Sequence, residues 1–212
     1  GILSGFAQLY RFAAADVATH EFKTKAVSLV MIGGIIAGFI GPTVASKAKD
    51  LIPNAEFAGS YLFVIMFHVL IVLILLGTRL PRPDVTEKKG KTRPLKEIFS
   101  QPKFLVAVLS AMAGYGVMAM VMTATPLAMT EESSHQFSDA AFVIQWHVVG
   151  MFAPAFFTGS LIHRYGPVPI IFTGILLNVL CIAINLAGTD VFNYWSSLIL
   201  LGMGWNFMFV AG

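Results

Sequence analysis

Five residues in this chain could take part in chemistry and sit inside long apolar runs: Arg11, Tyr115, Gln145, His147 and Asn206. An arginine near a bilayer centre costs from about 3 to more than 10 kcal/mol, so one kept there is expected to serve function. Arg11 shares a helical face with the small residues Ser4, Ala7, Ala14 and Ala18, which turns it toward neighbouring helices or a cavity; the bland alternative is snorkelling to the membrane boundary. His147 is the one of the five that could carry a proton near neutral pH, or it is a neutral packing residue. Gln145 lies two positions earlier, about 200° away around a helix, so the two cannot face one cavity together. Asn206 is mid-span and suits a substrate contact. Tyr115 belongs to a stripe with Met112, Met118 and Met122 that suits either a flat ligand or helix packing. This is chemistry of reversible binding and proton carriage. No metal-ligand spacing, catalytic pairing or phosphate-cradling glycine turn accompanies it, so no enzyme activity, metal or cofactor is expected.

The elements that must hold these residues are membrane helices. Hydrophobic residues make up 57% of the 212 and charged residues 12%, with mean hydropathy +0.78. Soluble domains carry roughly 25% charged residues; half that supply cannot cover a soluble surface. Seven segments approach the ~20 apolar residues a spanning helix needs: 1–18, 26–46, 58–79, 104–129, 140–162, 168–188 and 192–212. The runs are continuous and lack a period of two, which excludes barrel strands. The expected class is an all-α polytopic membrane protein.

Net charge is +3, and its placement decides its meaning. Lys23, Lys25, Arg82, Lys88, Lys89, Lys91, Arg93, Lys96, Lys103 and Arg164 occupy alternate linkers, while the others hold Lys47 and Lys49 but also Asp50, Glu56, Glu131, Glu132, Asp139 and Asp190. That pattern places the basic linkers in the cytoplasm and argues against nucleic acid as a partner. Pro81, Pro83 and Pro94 break the 80–103 segment, leaving Pro94–Gln101 as a short surface helix. The expected organisation is a bundle over 1–79, a basic linker over 80–103 and a second bundle over 104–212. Cys181 lies within an apolar run and offers no disulfide. The chain starts without Met and stops inside an apolar run, so it is expected to be an internal stretch of a longer protein.

Three motifs carry a resemblance. Gly159-Ser-Leu161-Ile-His163-Arg164-Tyr-Gly166 has the Gly-x-Leu-x-x-Arg-x-Gly spacing of the short cytoplasmic loop of the major facilitator superfamily, with His163 at the usual acidic position. Gly33-Gly34-Ile-Ile-Ala37-Gly38-Phe-Ile-Gly41-Pro42 resembles the glycine–proline motif of the family's antiporter branch, with Ala37 and Ala45 in place of two glycines. Gly34, Gly38 and Gly41 share a face suited to close helix contact. Tyr10-Arg11-Phe-Ala-Ala-Ala-Asp16 resembles the cytoplasmic end of family helix 4, where the aspartate is implicated in a charge relay; it is nearest to the riboflavin-transporter branch.

The resemblance implies that the seven spans are family helices 4 to 10, with 80–103 as the long loop between helices 6 and 7. It implies a secondary active transporter of a small solute, with alternating access and a coupling proton, in a bacterial inner membrane. It also assigns helices 4, 7 and 10 to the cavity, which nominates Arg11, Tyr115 and Asn206, with Gln145 and His147 as further binding or coupling candidates. Asp16, Gly34, Gly38, Gly41, Pro42, Gly159, Arg164 and Gly166 are the structural or gating set. A multispan scaffold or an intramembrane enzyme is the rival reading.

Overall fold

The computed structural model describes residues 9–19, 22–78 and 94–211. Among these the chain is helical: α1 (Tyr10–Val17), α2 (Lys23–Ala48), α3 (Ala58–Gly77), α4 (Leu95–Phe99), α5 (Pro102–Leu127), α6 (Phe137–Phe152), α7 (Ala155–Tyr165), α8 (Pro167–Ala187) and α9 (Val191–Ala211). A π-helical turn, Ala128–Glu132, extends α5. Six stretches are long and apolar enough to cross a membrane, with α6 and α7 together forming one of them. With α6 and α7 taken together, the expected spans after the first agree with the helices to within three residues at either end. Of the first expected span, residues 1–8 lie outside the described residues. The linker residues 79–93 do as well, while its end forms α4 as expected; α5 then begins at Pro102, two residues inside the expected linker.

Local chemistry sets the boundaries. Pro102 and Pro167 occupy first-turn positions, where a missing N–H is no loss. Gln136 and Asp139 close α6 with a reciprocal capping box. Phe137–Tyr165 is 29 residues, roughly 43 Å of helix against a ~30 Å hydrocarbon layer. It breaks at Ala153–Pro154, where the proline nitrogen cannot donate.

The short cytoplasmic motif is corrected in one respect. Gly159 through Tyr165 is the last part of α7, not a loop, and the turn is Gly166 alone. Gly166 has φ 83°, a conformation glycine adopts without strain, and its N–H still donates to the Ile162 carbonyl at 2.8 Å. Arg164 is exposed there with its guanidinium 5.3 Å from the Tyr165 ring centre.

The core is built around α9. More than half of its span (56%) is buried, against 6% for α2 and α3. It packs on α8, α6, α5 and α7, and Met118, Met129, Val143, Leu198, Leu201 and Trp205 form the centre. Gly150 and Gly202 let α6 and α9 touch backbone to backbone: a Cβ on Gly202 would lie 2.8 Å from the Met151 nitrogen. α2 crosses to this bundle chiefly through α6.

Candidate functional site

The contact of α2 with α6 is a seam between segments that the long linker separates in sequence. The two helices run antiparallel along it. Gly34 lies against Phe152, where a Cβ would come 3.0 Å from the ring, and Gly38 lies against Val148, where a Cβ would come 2.8 Å from the Val148 Cβ. Further toward the α2 C-terminus, the Gln145 side-chain amide donates to the Thr43 hydroxyl at 2.6 Å and to the Phe39 carbonyl at 3.1 Å. The Thr43 hydroxyl itself donates to the same carbonyl at 2.7 Å. Beyond the helix end, Phe57 packs edge-on to Phe137 at 5.4 Å, with the Lys49 ammonium 5.9 Å from the Phe137 ring. Gly34 and Gly38 therefore make the close contact expected of them. A Cβ on Gly41 or Gly159 would meet nothing within 4 Å among the described residues, so Gly41 makes no close helix contact there although it shares a face with Gly34 and Gly38. Pro42 lies inside α2 and deprives the Gly38 carbonyl of its helical donor.

Gln145 and His147 separate as their spacing requires. Gln145 faces α2, whereas His147 is fully buried against α9, its Nδ1–H donating to the Leu198 carbonyl at 2.9 Å. The opposite nitrogen, Nε2, has no hydrogen-bond partner.

Asn206 is also fully buried among the described residues. Its amide donates to the Met151 carbonyl at 2.8 Å, and its oxygen lies 2.7 Å from the Thr158 hydroxyl. Both polar ends are used up in tying α9 to the two sides of the α6–α7 break. The stripe on α8 holds Gly174, Asn178 and Cys181 against the core, but Asn185 bonds back to the Cys181 carbonyl of its own helix at 3.1 Å. On α5 the Met112–Met122 stripe divides: Met118 is buried in the core, while Met112 and Tyr115 are exposed. Tyr115 is thus left on an outward face, 100° around the helix from the buried Gly114. His68 on α3 bonds to the Val64 carbonyl of its own helix at 2.7 Å and is exposed with Tyr61. Arg11 lies on α1, but its side chain, like that of His20, falls outside the described residues; Asp16 is exposed.

The sequence reading missed an aromatic cluster beside the seam. Trp146 is met nearly edge-on by three rings: Phe39 of α2 at 6.2 Å, Phe142 at 6.4 Å and Trp195 of α9 at 6.0 Å. Trp195 also faces Phe192 at 5.6 Å, so it belongs to this cluster and not to an interface belt alone. Its indole N–H is buried without a hydrogen-bond partner. Among the described residues no group of three His, Cys, Asp or Glu is placed to hold a metal ion.

The family model of the Major Facilitator Superfamily matches residues 1–212. The Riboflavin transporter RfnT of Brucella anthropi is 42% identical over 213 residues, covering 100% of the chain and 53% of that protein. Two proteins of Bacillus subtilis, the uncharacterized MFS-type transporters YdeG and YddS, are 25% and 24% identical over 95% of the chain and 50% of their own lengths. The chain thus spans about half the length of the curated relatives it matches. No solved structure matches it. With six helices able to span a bilayer and a family match along its whole length, the chain is part of a multi-pass membrane protein and belongs to the major facilitator superfamily.

Proposed function

We propose that the protein containing this chain is a secondary active transporter, not an enzyme or a scaffold, and that it moves riboflavin or a closely related flat heteroaromatic solute by alternating access. The observation that carries the reading is the α2–α6 seam. It joins segments on either side of the basic linker through two glycine contacts, the Gln145 amide, and the rings of Phe39 on Trp146 and Phe57 on Phe137, with no ion pair across it among the described residues, so it can part and re-form. Family membership supports the transporter class, and the 42% identity with a protein named a riboflavin transporter supports the solute.

Sidedness follows from the basic linkers: the Phe57–Phe137 and Gln145 contacts lie toward the outer face. The seam runs from there to Gly34, and α2 keeps only a narrow contact with α7. This is the shape of a state closed to the outside. In this reading residues 1–79 and 104–212 belong to the two moving halves, Tyr115 and Arg11 stand on cavity helices, and Asp16 and Arg164 mark the cytoplasmic edge. His147 enters it as a neutral packing residue, because every described Asp and Glu lies at or beyond a span's end and none faces it. The coupling proton is therefore assigned to no residue.

The test is complementation by the full-length protein. A bacterial host unable to make riboflavin should grow on low external riboflavin when it is expressed, and proteoliposomes bearing it should accumulate the vitamin. Correctly inserted protein that does neither would overturn the solute assignment.

A further inference from the structure

In the Trp146 cluster the indole N–H of Trp195 is buried and has no hydrogen-bond partner among the described residues. A buried donor left unpaired is costly, and native structures rarely keep one without a use. It lies beside a ring system assembled from three helices. Phe142 and Trp146 come from α6, and Phe192 and Trp195 from α9. Phe39 comes from α2, on the other side of the seam. When the seam parts, α2 withdraws Phe39 and uncovers the side of Trp146 that it had covered. The Gln145 amide is freed in the same movement from Thr43 and the Phe39 carbonyl, and its oxygen has no hydrogen-bond partner even in the closed seam among the described residues.

The geometry points to a binding site at Trp146 and Trp195 for a flat conjugated ring bearing a carbonyl, with the ring taking the place of Phe39 against Trp146 and the carbonyl accepting the Trp195 N–H. The inference rests on the reading of the protein as a transporter of heteroaromatic solutes, and it gives that reading its contact residues. Rings with an extended π face fit because they can replace the Phe39 ring contact on Trp146 with a larger one. A sugar or an aliphatic acid could satisfy the N–H but not the ring face; a plain arene could satisfy the face but not the N–H. Conjugated cyclic amides, such as flavins and pteridines, do both. Phe39 acts as the cover of the site: present while the seam is closed, absent while it is open.

The experiment uses the full-length protein in proteoliposomes with riboflavin as the probe, comparing wild type, Trp195→Phe, Trp146→Leu and Phe39→Leu. Trp195→Phe keeps a ring but removes the N–H, so KM should rise about tenfold, the loss of one hydrogen bond, with kcat little changed. Trp146→Leu should abolish saturable binding and the quenching of protein fluorescence that riboflavin produces in wild type. Phe39→Leu should retain uptake and lower KM, because a weaker cover competes less with the solute. Thermal unfolding of each purified variant identifies any that fail to fold, and Trp146→Phe replaces Trp146→Leu in that event, with a KM increase expected. Wild-type transport with an unchanged KM in folded Trp195→Phe would overturn this site while leaving the riboflavin reading intact. No riboflavin uptake by folded wild type would instead overturn the functional reading itself.

Discussion

Gly38→Ala tests the seam most directly. A methyl group at Gly38 would lie 2.8 Å from the Val148 Cβ and closer still to its Cγ1. Carbon atoms in contact rest about 3.5–4.0 Å apart, so α2 and α6 must separate by about 1 Å or one of them must shift. Overpacking of this kind costs about 1–3 kcal/mol. Since the cost falls only on the closed seam, it shifts the balance between closed and parted forms about 5- to 150-fold toward the parted one. The assay is distance measurement between spin labels on full-length protein, at Asp50→Cys beyond α2 and Ser138→Cys at the start of α6, both of which are exposed. A population at longer distance should grow in Gly38→Ala, and Val148→Ala in the same molecule should partly reverse it, because it removes the nearer Cγ1 contact while the Cβ stays 2.8 Å away. An unchanged distance distribution in Gly38→Ala, or a shift that Val148→Ala fails to relieve, would refute the account of the seam.

Gln145→Leu removes two hydrogen bonds across the same seam, each worth about 1 kcal/mol, and should lengthen the same label distance without lowering the unfolding temperature of the separate halves. Asn206→Leu leaves the Met151 carbonyl without the Asn206 donor, while the Thr158 hydroxyl keeps its bond to the Pro154 carbonyl, at about 1–3 kcal/mol for a buried group; thermal unfolding in detergent should drop, whereas riboflavin KM in the surviving protein should hold. Gly166→Ala places a side chain at φ 83° and should cost about 1 kcal/mol, seen as a lower unfolding temperature with normal insertion. Arg11→Ala in the full-length protein should abolish uptake at normal expression, and uptake at the wild-type rate would remove Arg11 from the cavity.

The spans were legible in the sequence because runs such as Ala58–Gly77 are apolar on every face, and lipid accepts such runs without further patterning. The starts at Pro102 and Pro167 came out one or two residues ahead of the expected 104 and 168, because the proline's fixed φ and absent donor suit a first turn that the apolar runs alone do not mark. The separation of Gln145 from His147 was legible, since it depends only on 100° per residue. What failed depends on partners distant in sequence. Asn206 looked like a substrate contact because its acceptors and donors, Met151 and Thr158, lie 55 and 48 residues away and only the break at Pro154 brings them level with it. The cover of Trp146 by Phe39 is likewise a product of helix pairing, invisible to periodicity. Tyr115 and Met118 were grouped by spacing and stand only about 60° apart around α5, yet the edge of the packed bundle falls between them and buries one while leaving the other outside.

The single-residue turn at Gly166 has a mechanical meaning. Adjacent Cα atoms are about 3.8 Å apart whatever the torsions do, so the end of α7 and the start of α8 are on a leash of one link. Neither can travel without hauling the other. On the opposite face, residues 133–136 offer a longer tether between the π-helical end of α5 and α6, although the His135 ring clamps it to the Thr189 carbonyl at 2.7 Å. Slack is therefore unevenly distributed: a displacement that begins at the cytoplasmic tip of α7 passes to α8 undiminished, and the two helices swing as one oar.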